Sequence, residues 1–157
     1  MKKLLLFLAL IGIGIYSYKN IYQKSFSYSN PVYLDARIGL TIPQVSRNIE
    51  MAIFVETSSQ QHCAEKQQNY LSHLFKNCER CAVKSAECKA ELSSHNKALF
   101  SDTHVDTTYL SFTKANNSEL NARLLFWGLN SEEAKSTCRK LKTIFKNTYQ
   151  GTAKCIL

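Results

Sequence analysis

Six cysteines set behind one apolar run constrain this chain more than any other feature. Cys63, Cys78, Cys81, Cys88, Cys138 and Cys155 are even in number. In an exported domain of this size, that count is most simply three disulfides. Export is read from residues 4–16, LLLFLALIGIGIY, which follow Met1, Lys2 and Lys3 as the basic and apolar regions of a secretory signal. The stretch after it, Ser17-Tyr18-Lys19-Asn20-Ile21-Tyr22, offers no pair of small residues for cleavage, and no cysteine lies near enough to carry a lipid. Residues 1–24 are therefore expected to remain as a signal anchor, with a cleaved signal of atypical site as the alternative. As a helix, residues 4–18 rise ~22 Å, short for a bilayer, and Tyr16, Tyr18 and Tyr22 are placed to sit among the headgroups. The basic start holds the N-terminus in the cytoplasm, so the expectation is a single pass through an inner membrane with a periplasmic C-terminal domain.

The formal charge of +8 invites a nucleic-acid reading, but Lys2, Lys3, Lys19 and Lys24 flank the apolar segment and supply half of it. From Ser25 onward there are 16 basic and 12 acidic residues, a modest excess unlike the concentrated basic face of a DNA-binding domain. Nucleic acid is therefore not the expected partner.

Residues 25–31, rich in Tyr, Ser and Asn and ending at Pro31, read as a tether, and residues 32–157 as one extracytoplasmic domain. Ile38, Leu40 and Ile42 alternate before Pro43, and Ile49, Met51, Ile53 and Val55 alternate with apolar residues between them. These predict strands at 32–42 and about 48–57, the second buried on both faces. A capping signal at 57–61 opens a helix to about residue 77, and residues 82–91 read as extended, with an alternation that slips once at Ser85. Residues 93–100 suggest a short helical turn. Thr107 to Phe112 and Ala122 to Trp127 read as a hairpin across a polar loop. Asn130 or Ser131 caps a helix whose first turn carries Glu132 and Glu133 and whose later turns carry Lys135, Arg139, Lys140, Lys142 and Lys146, the order the helix dipole favours. A last strand follows Gly151.

Strand, helix, strand thus occurs twice, at about 48–91 and 121–157, and Leu74-Phe75-Lys76-Asn77 is echoed by Ile144-Phe145-Lys146-Asn147. Each unit has one cysteine early in its helix and one in its returning strand. From Cys138 the helix covers ~14 Å and the strand returns ~20 Å; from Cys63 the figures are ~21 Å and ~23 Å. Reach therefore pairs Cys63 with Cys88 and Cys138 with Cys155, leaving Cys78 for Cys81. Two successive βαβ units predict an α+β, ferredoxin-like split-βαβ sandwich, disulfide-stapled, with helices on one face of a mainly antiparallel sheet and the segments 32–42 and 93–104 as decoration.

Catalytic readings are weaker. Cys78-Glu79-Arg80-Cys81 has the spacing of a redox dithiol, and an extracytoplasmic thiol-disulfide oxidoreductase is the alternative function. Yet Cys78 falls at a helix C-terminus, where the dipole disfavours a thiolate, and no Pro follows position 43. His73, Cys78, Cys81 and Cys88, with His62 nearby, could ligate zinc, but oxidation competes in that compartment. Asp102, His104 and Asp106, with Ser101 and Ser111, suggest a hydrolase only without the G-x-S-x-G setting. No phosphate-binding loop or H-E-x-x-H occurs. No enzyme activity, cofactor or metal is expected. Lys135, Arg139, Lys142 and Lys146 share one helix face opposite Ala134, Cys138, Leu141 and Phe145, and no acidic residue occurs from Ala134 to Ile156. That face is either a solvated one or a docking stripe for an acidic partner, an anionic headgroup or a nucleic-acid backbone. Trp127 is expected in the core. The functional expectation is a non-catalytic, membrane-tethered binding domain acting through protein contacts, as an accessory subunit of an envelope machine or an immunity-type protein.

Overall fold

The alternating residues form six strands: β1 Val32–Ile42, β2 Arg47–Thr57, β3 Cys81–Lys89, β4 Tyr109–Thr113, β5 Ala122–Trp127 and β6 Thr152–Ile156. Between them lie α1 Gln60–Asn77, α2 Ser94–Ala98 running into a 3-10 turn Leu99–Ser101, and α3 Ser131–Phe145. The structure is a computed structural model that describes residues 28–42, 47–77, 80–102, 105–115, 121–147 and 149–157. The expected anchor and residues 25–27 of the tether lie outside the described residues, as do Cys78 and His104.

All six strands make one sheet in the order β3-β1-β2-β5-β4-β6, and every adjacent pair is antiparallel. Because β1 runs antiparallel to both β2 and β3, those two are parallel to each other on either side of it. The same holds for β5 and β6 about β4. Each half is thus a ββαβ unit whose first strand is inserted between its other two, and the halves meet at β2 and β5 through pairs such as Ala52 with Leu125.

This corrects the sequence reading in two respects, the first being that 93–104 is no decoration, since Leu99 and Phe100 cover the sheet face opposite the two long helices. The segment 32–42 is not decoration either: β1 is the middle strand of its half, paired with β2 from Val32↔Thr57 to Ile42↔Arg47 and with β3 from Tyr33↔Lys89 to Leu40↔Cys81. The mainly antiparallel α+β sheet is present, but each split βαβ closes around its own leading strand. In the four-stranded ferredoxin-like order the two units interleave. The slip at Ser85 is a bulge: Arg37 faces Ser85 but Ile38 faces Val83, leaving Lys84 as the extra residue.

Strand parity sorts the cores. One sheet face carries Leu34, Ala36, Ile53, Val55, Leu124, Leu110 and Phe112, and both long helices lie on it, α1 through Cys63 and Tyr70 and α3 through Cys138, Leu141 and Phe145. The other carries Tyr33, Phe54, Tyr109, Leu125 and Ile156 under Leu92, Leu99 and Phe100 of the α2 segment. With Ala52 and Phe54 fully buried, β2 is covered on both sides, as its continuous apolar sequence requires. Each such fully buried large side chain contributes roughly 2–3 kcal/mol.

The expected long bridges are both present. Cys63–Cys88 ties α1 to β3 and Cys138–Cys155 ties α3 to β6, each with Cα atoms 6.0 Å apart. Cys81 is also disulfide-bonded; its expected partner, Cys78, lies outside the described residues.

Candidate functional site

α3 begins on a reciprocal cap. The Glu133 N–H donates to Asn130 Oδ1 at 2.9 Å, and the Asn130 N–H donates to Glu133 Oε2 at 2.8 Å. Arg47 Nη2 donates to the same Glu133 oxygen at 2.6 Å, fixing this helix end to the start of β2. The inner side of α3 packs on Leu110, Phe112 and Leu124; Phe112 meets Phe145 and Tyr149 edge-on at 5.0 and 5.2 Å. Gly151 then turns the chain into β6, with no room for a Cβ against the Thr113 carbonyl and the Tyr149 ring.

That packing points the predicted cations outward but divides them. Lys135 is half-buried, pairs with Glu132 at 3.1 Å, and helps line a cleft. Arg139, Lys142 and Lys146 are exposed together with Lys140, and make no ion pair with any described residue. Ile144, one turn on from Lys140 and on the opposite flank from Lys142, is 62% exposed, one of two large hydrophobic side chains so exposed among the described residues.

The cleft, about 450 Å³, opens at the N-terminal end of α3, where β5 ends and β4 begins. Val105, Phe126, Leu129, Ala134 and Leu157 line it together with Thr107, Thr108 and Ser131, and Asp106 and Lys135 bring opposite charges, so its lining is more polar than apolar. Leu157 is the second exposed hydrophobic side chain, at 46%.

Three constellations missed in the sequence organise the rest. Arg123, 3% exposed, donates from Nε to the Leu99 carbonyl at 2.8 Å and from Nη1 to those of Phe112 and Ala122 at 2.9 and 2.8 Å. Its Nη2 reaches Asp102 Oδ1 at 3.0 Å, and burial pushes its pKa below the usual arginine value. Arg37 lies 4.4 Å above the Trp127 ring and 5.4 Å above that of Phe54, with Asp35 at 3.2 Å and Glu50 at 3.6 Å. Trp127 is thus roofed by a cation and only half-buried, a partial departure from the core position expected. At the start of β1, the Tyr28 N–H donates to Glu56 Oε1 at 3.2 Å, Asn121 Nδ2 donates to Glu56 Oε2 at 2.8 Å, and the Lys114 ammonium sits 4.0 Å from the Tyr28 ring. Each of these pairs a polar residue with a non-local partner, and alternation alone gives no signal for that.

The zinc and hydrolase readings each lose a part. Cys88 is bound to Cys63 and Cys81 is oxidised, so neither is a thiolate for zinc, and no cluster of metal-ligating side chains occurs among the described residues. Asp102 engages Arg123 and accepts from Ser111 Oγ, a structural use of the supposed hydrolase carboxylate. No family model, curated protein or solved structure matches this chain.

Proposed function

We propose that the chain is a membrane-tethered, extracytoplasmic binding domain that acts through protein contacts, as an accessory subunit of an envelope machine or an immunity-type protein. It is non-catalytic, held in an inner membrane by residues 4–18 with its folded domain in the periplasm. The observation that carries the reading is the cleft at the head of α3. Its lining mixes Val105, Phe126, Leu129, Ala134 and the exposed Leu157 with Asp106, Thr107, Thr108, Ser131 and the half-buried Lys135, the mixture of apolar and polar surface that non-obligate protein interfaces carry. Arg139 lies one turn further along α3 from Lys135. The matching partner feature is an apolar side chain entering the cleft beside a carboxylate that takes Lys135 from Glu132.

Photo-crosslinking from position 129 in intact cells, compared with position 97 on the opposite sheet face, tests this. The expected result is one discrete protein adduct from position 129 that disappears in Lys135→Glu/Phe126→Ser. Equal labelling from both positions, or dithiol turnover that vanishes in Cys78→Ser/Cys81→Ser, overturns it. A reporter fused after Leu157 that is active only outside the cytoplasm, together with an intact N-terminus in membrane extracts, is expected for the topology.

A further inference from the structure

The strand order sorts the molecule into two ends. At one lie the starts of β1, β5 and β6 and the ends of β2, β3 and β4, since Val32 pairs with Thr57, Tyr33 with Lys89, Phe112 with Ala122 and Thr113 with Thr152. α3 runs toward this end, because it leaves β5 at Trp127 and returns into β6 at Thr152. The chain enters here too. Tyr28 is fixed at this rim by Glu56 and stacked under Lys114, which directly follows β4, the neighbour of β6. The cleft lies at the opposite end.

We propose that the C-terminal half of α3 is a seat for an anionic membrane surface, with Arg139, Lys140, Lys142 and Lys146 on headgroup phosphates and Ile144 entering the interface. The inference rests on the anchored reading above. Only nine residues separate Tyr18 from Tyr28, a reach of roughly 35 Å when fully extended. The end that carries Tyr28 is therefore held close to the bilayer, and the cationic half of α3 ends beside it. Helical side chains tilt toward the helix N-terminus, so the contact requires the domain to lie on the outer face of α3 rather than stand on the helix end. At the other corner of the same end Glu65 and Glu91 are exposed and Glu87 pairs with Lys89 at 3.2 Å, so the cationic half of α3 is the corner drawn to anionic lipid. A cluster of exposed cations is drawn to an anionic surface by charge, and Ile144 beside Lys140 adds one apolar contact at its flank. The cleft, at the opposite end of α3, then opens along the bilayer rather than into it, free for a protein.

The test uses full-length protein reconstituted into vesicles of phosphatidylcholine alone or with phosphatidylglycerol at about a third of the lipid. The readout is lysine acetylation, measured by mass spectrometry. With the anionic lipid, acetylation of Lys140, Lys142 and Lys146 is expected to fall about fivefold or more, while Lys97, exposed on the opposite face, keeps its reactivity. High salt should erase most of the protection, as should Lys142→Gln/Ile144→Ser/Lys146→Gln, a variant that changes only exposed side chains. Protein that floats with the vesicles but whose α3 lysines react equally in both lipids overturns the seat and leaves the anchor standing. Protein that alkaline wash strips from the vesicles overturns both. A photo-crosslinker in place of Ile144 that captures protein rather than lipid in native membranes overturns the choice of occupant.

Discussion

The guanidinium of Arg123 and the carboxylate of Asp102 meet at 3.0 Å across the sheet face that α1 and α3 leave uncovered. Asp102 sits in the left-handed region, at φ 52°, where the 3-10 turn ends, and its carboxylate also accepts from Ser111. The pair therefore fastens the Leu99–Ser101 turn to β4 and β5. Arg123→Met removes the guanidinium that pairs with Asp102 and donates to the Leu99, Phe100, Phe112 and Ala122 carbonyls, leaving Leu99 to the Tyr109 hydroxyl and the Asp102 N–H, and should cost about 3 kcal/mol. Asp102→Asn keeps a residue that tolerates the left-handed backbone and removes only the charge, so its cost should be smaller, about 1–2 kcal/mol. Urea denaturation of the two variants checks the order; equal losses would mean the carbonyl bonds are not what Arg123 supplies.

The bridges should differ in weight. Cys63–Cys88 and Cys138–Cys155 close loops with sequence separations of 25 and 17, and by loop entropy each stabilises the fold by about 3 kcal/mol. Removing either pair as a double Ala variant should lower the melting temperature visibly. Replacing Cys78 and Cys81 with Ser should leave it nearly unchanged. Non-reducing digestion is expected to recover the two long bridges.

Gly128 is held at φ +85°, and a Cβ there would lie 2.8 Å from the Asn48 carbonyl oxygen. It ends β5 against the β2 backbone, so both conformation and space exclude a side chain. Gly128→Ala should destabilise by about 1–3 kcal/mol. A thermal melt indistinguishable from the parent would contradict that account.

Alkaline pH should unfold the domain early. Burial, and for Tyr33 also Glu56, holds the Tyr33, Tyr70 and Tyr109 hydroxyls protonated above their usual range, with the Asp102 charge adding to the effect at Tyr109. Hydrogen bonding to Asp35 raises the Lys89 ammonium likewise. All four groups keep protons in the folded state that the unfolded chain releases from about pH 10, so their contribution is complete below that pH and declines as pH rises through it. Denaturant midpoints should be flat up to about pH 9.5 and fall steeply beyond it, and Lys89→Met should shift the fall without abolishing it.

Local chemistry made most elements legible. Alternation at Ile49–Val55, the Asn130 cap with Glu133 and the uneven spacing at Ser85 each record a backbone event within a few residues, and each is found where it was read. Reach made the two long bridges legible as well, because helix rise and strand rise are constants of the backbone. The place of β1 was not legible. Periodicity says that residues 32–42 pair with something, while their insertion between β2 and β3 depends on which of several apolar edges is left free once α1 has packed. The candidate site was half legible: the stripe on α3 follows from its period, but its division between a cleft and an open cationic half depends on where Lys135 finds Glu132 and where the 105–108 segment returns.

The α2 segment gives the repeat its limit. It follows the first ββαβ unit in the chain, yet Phe100 stacks on Tyr33 of that unit at 5.3 Å while the Leu99 and Phe100 carbonyls are held by Arg123 of the second. A fragment ending at β3 would expose Tyr33 and Phe54 to water, and one beginning at β4 would strip Arg123 of Asp102 and of the Leu99 and Phe100 carbonyls that hold it. Two units of like design are thereby made into one cooperative transition. Any ancestor that stood as a single ββαβ unit had to cover that face some other way, most simply with a second copy of itself.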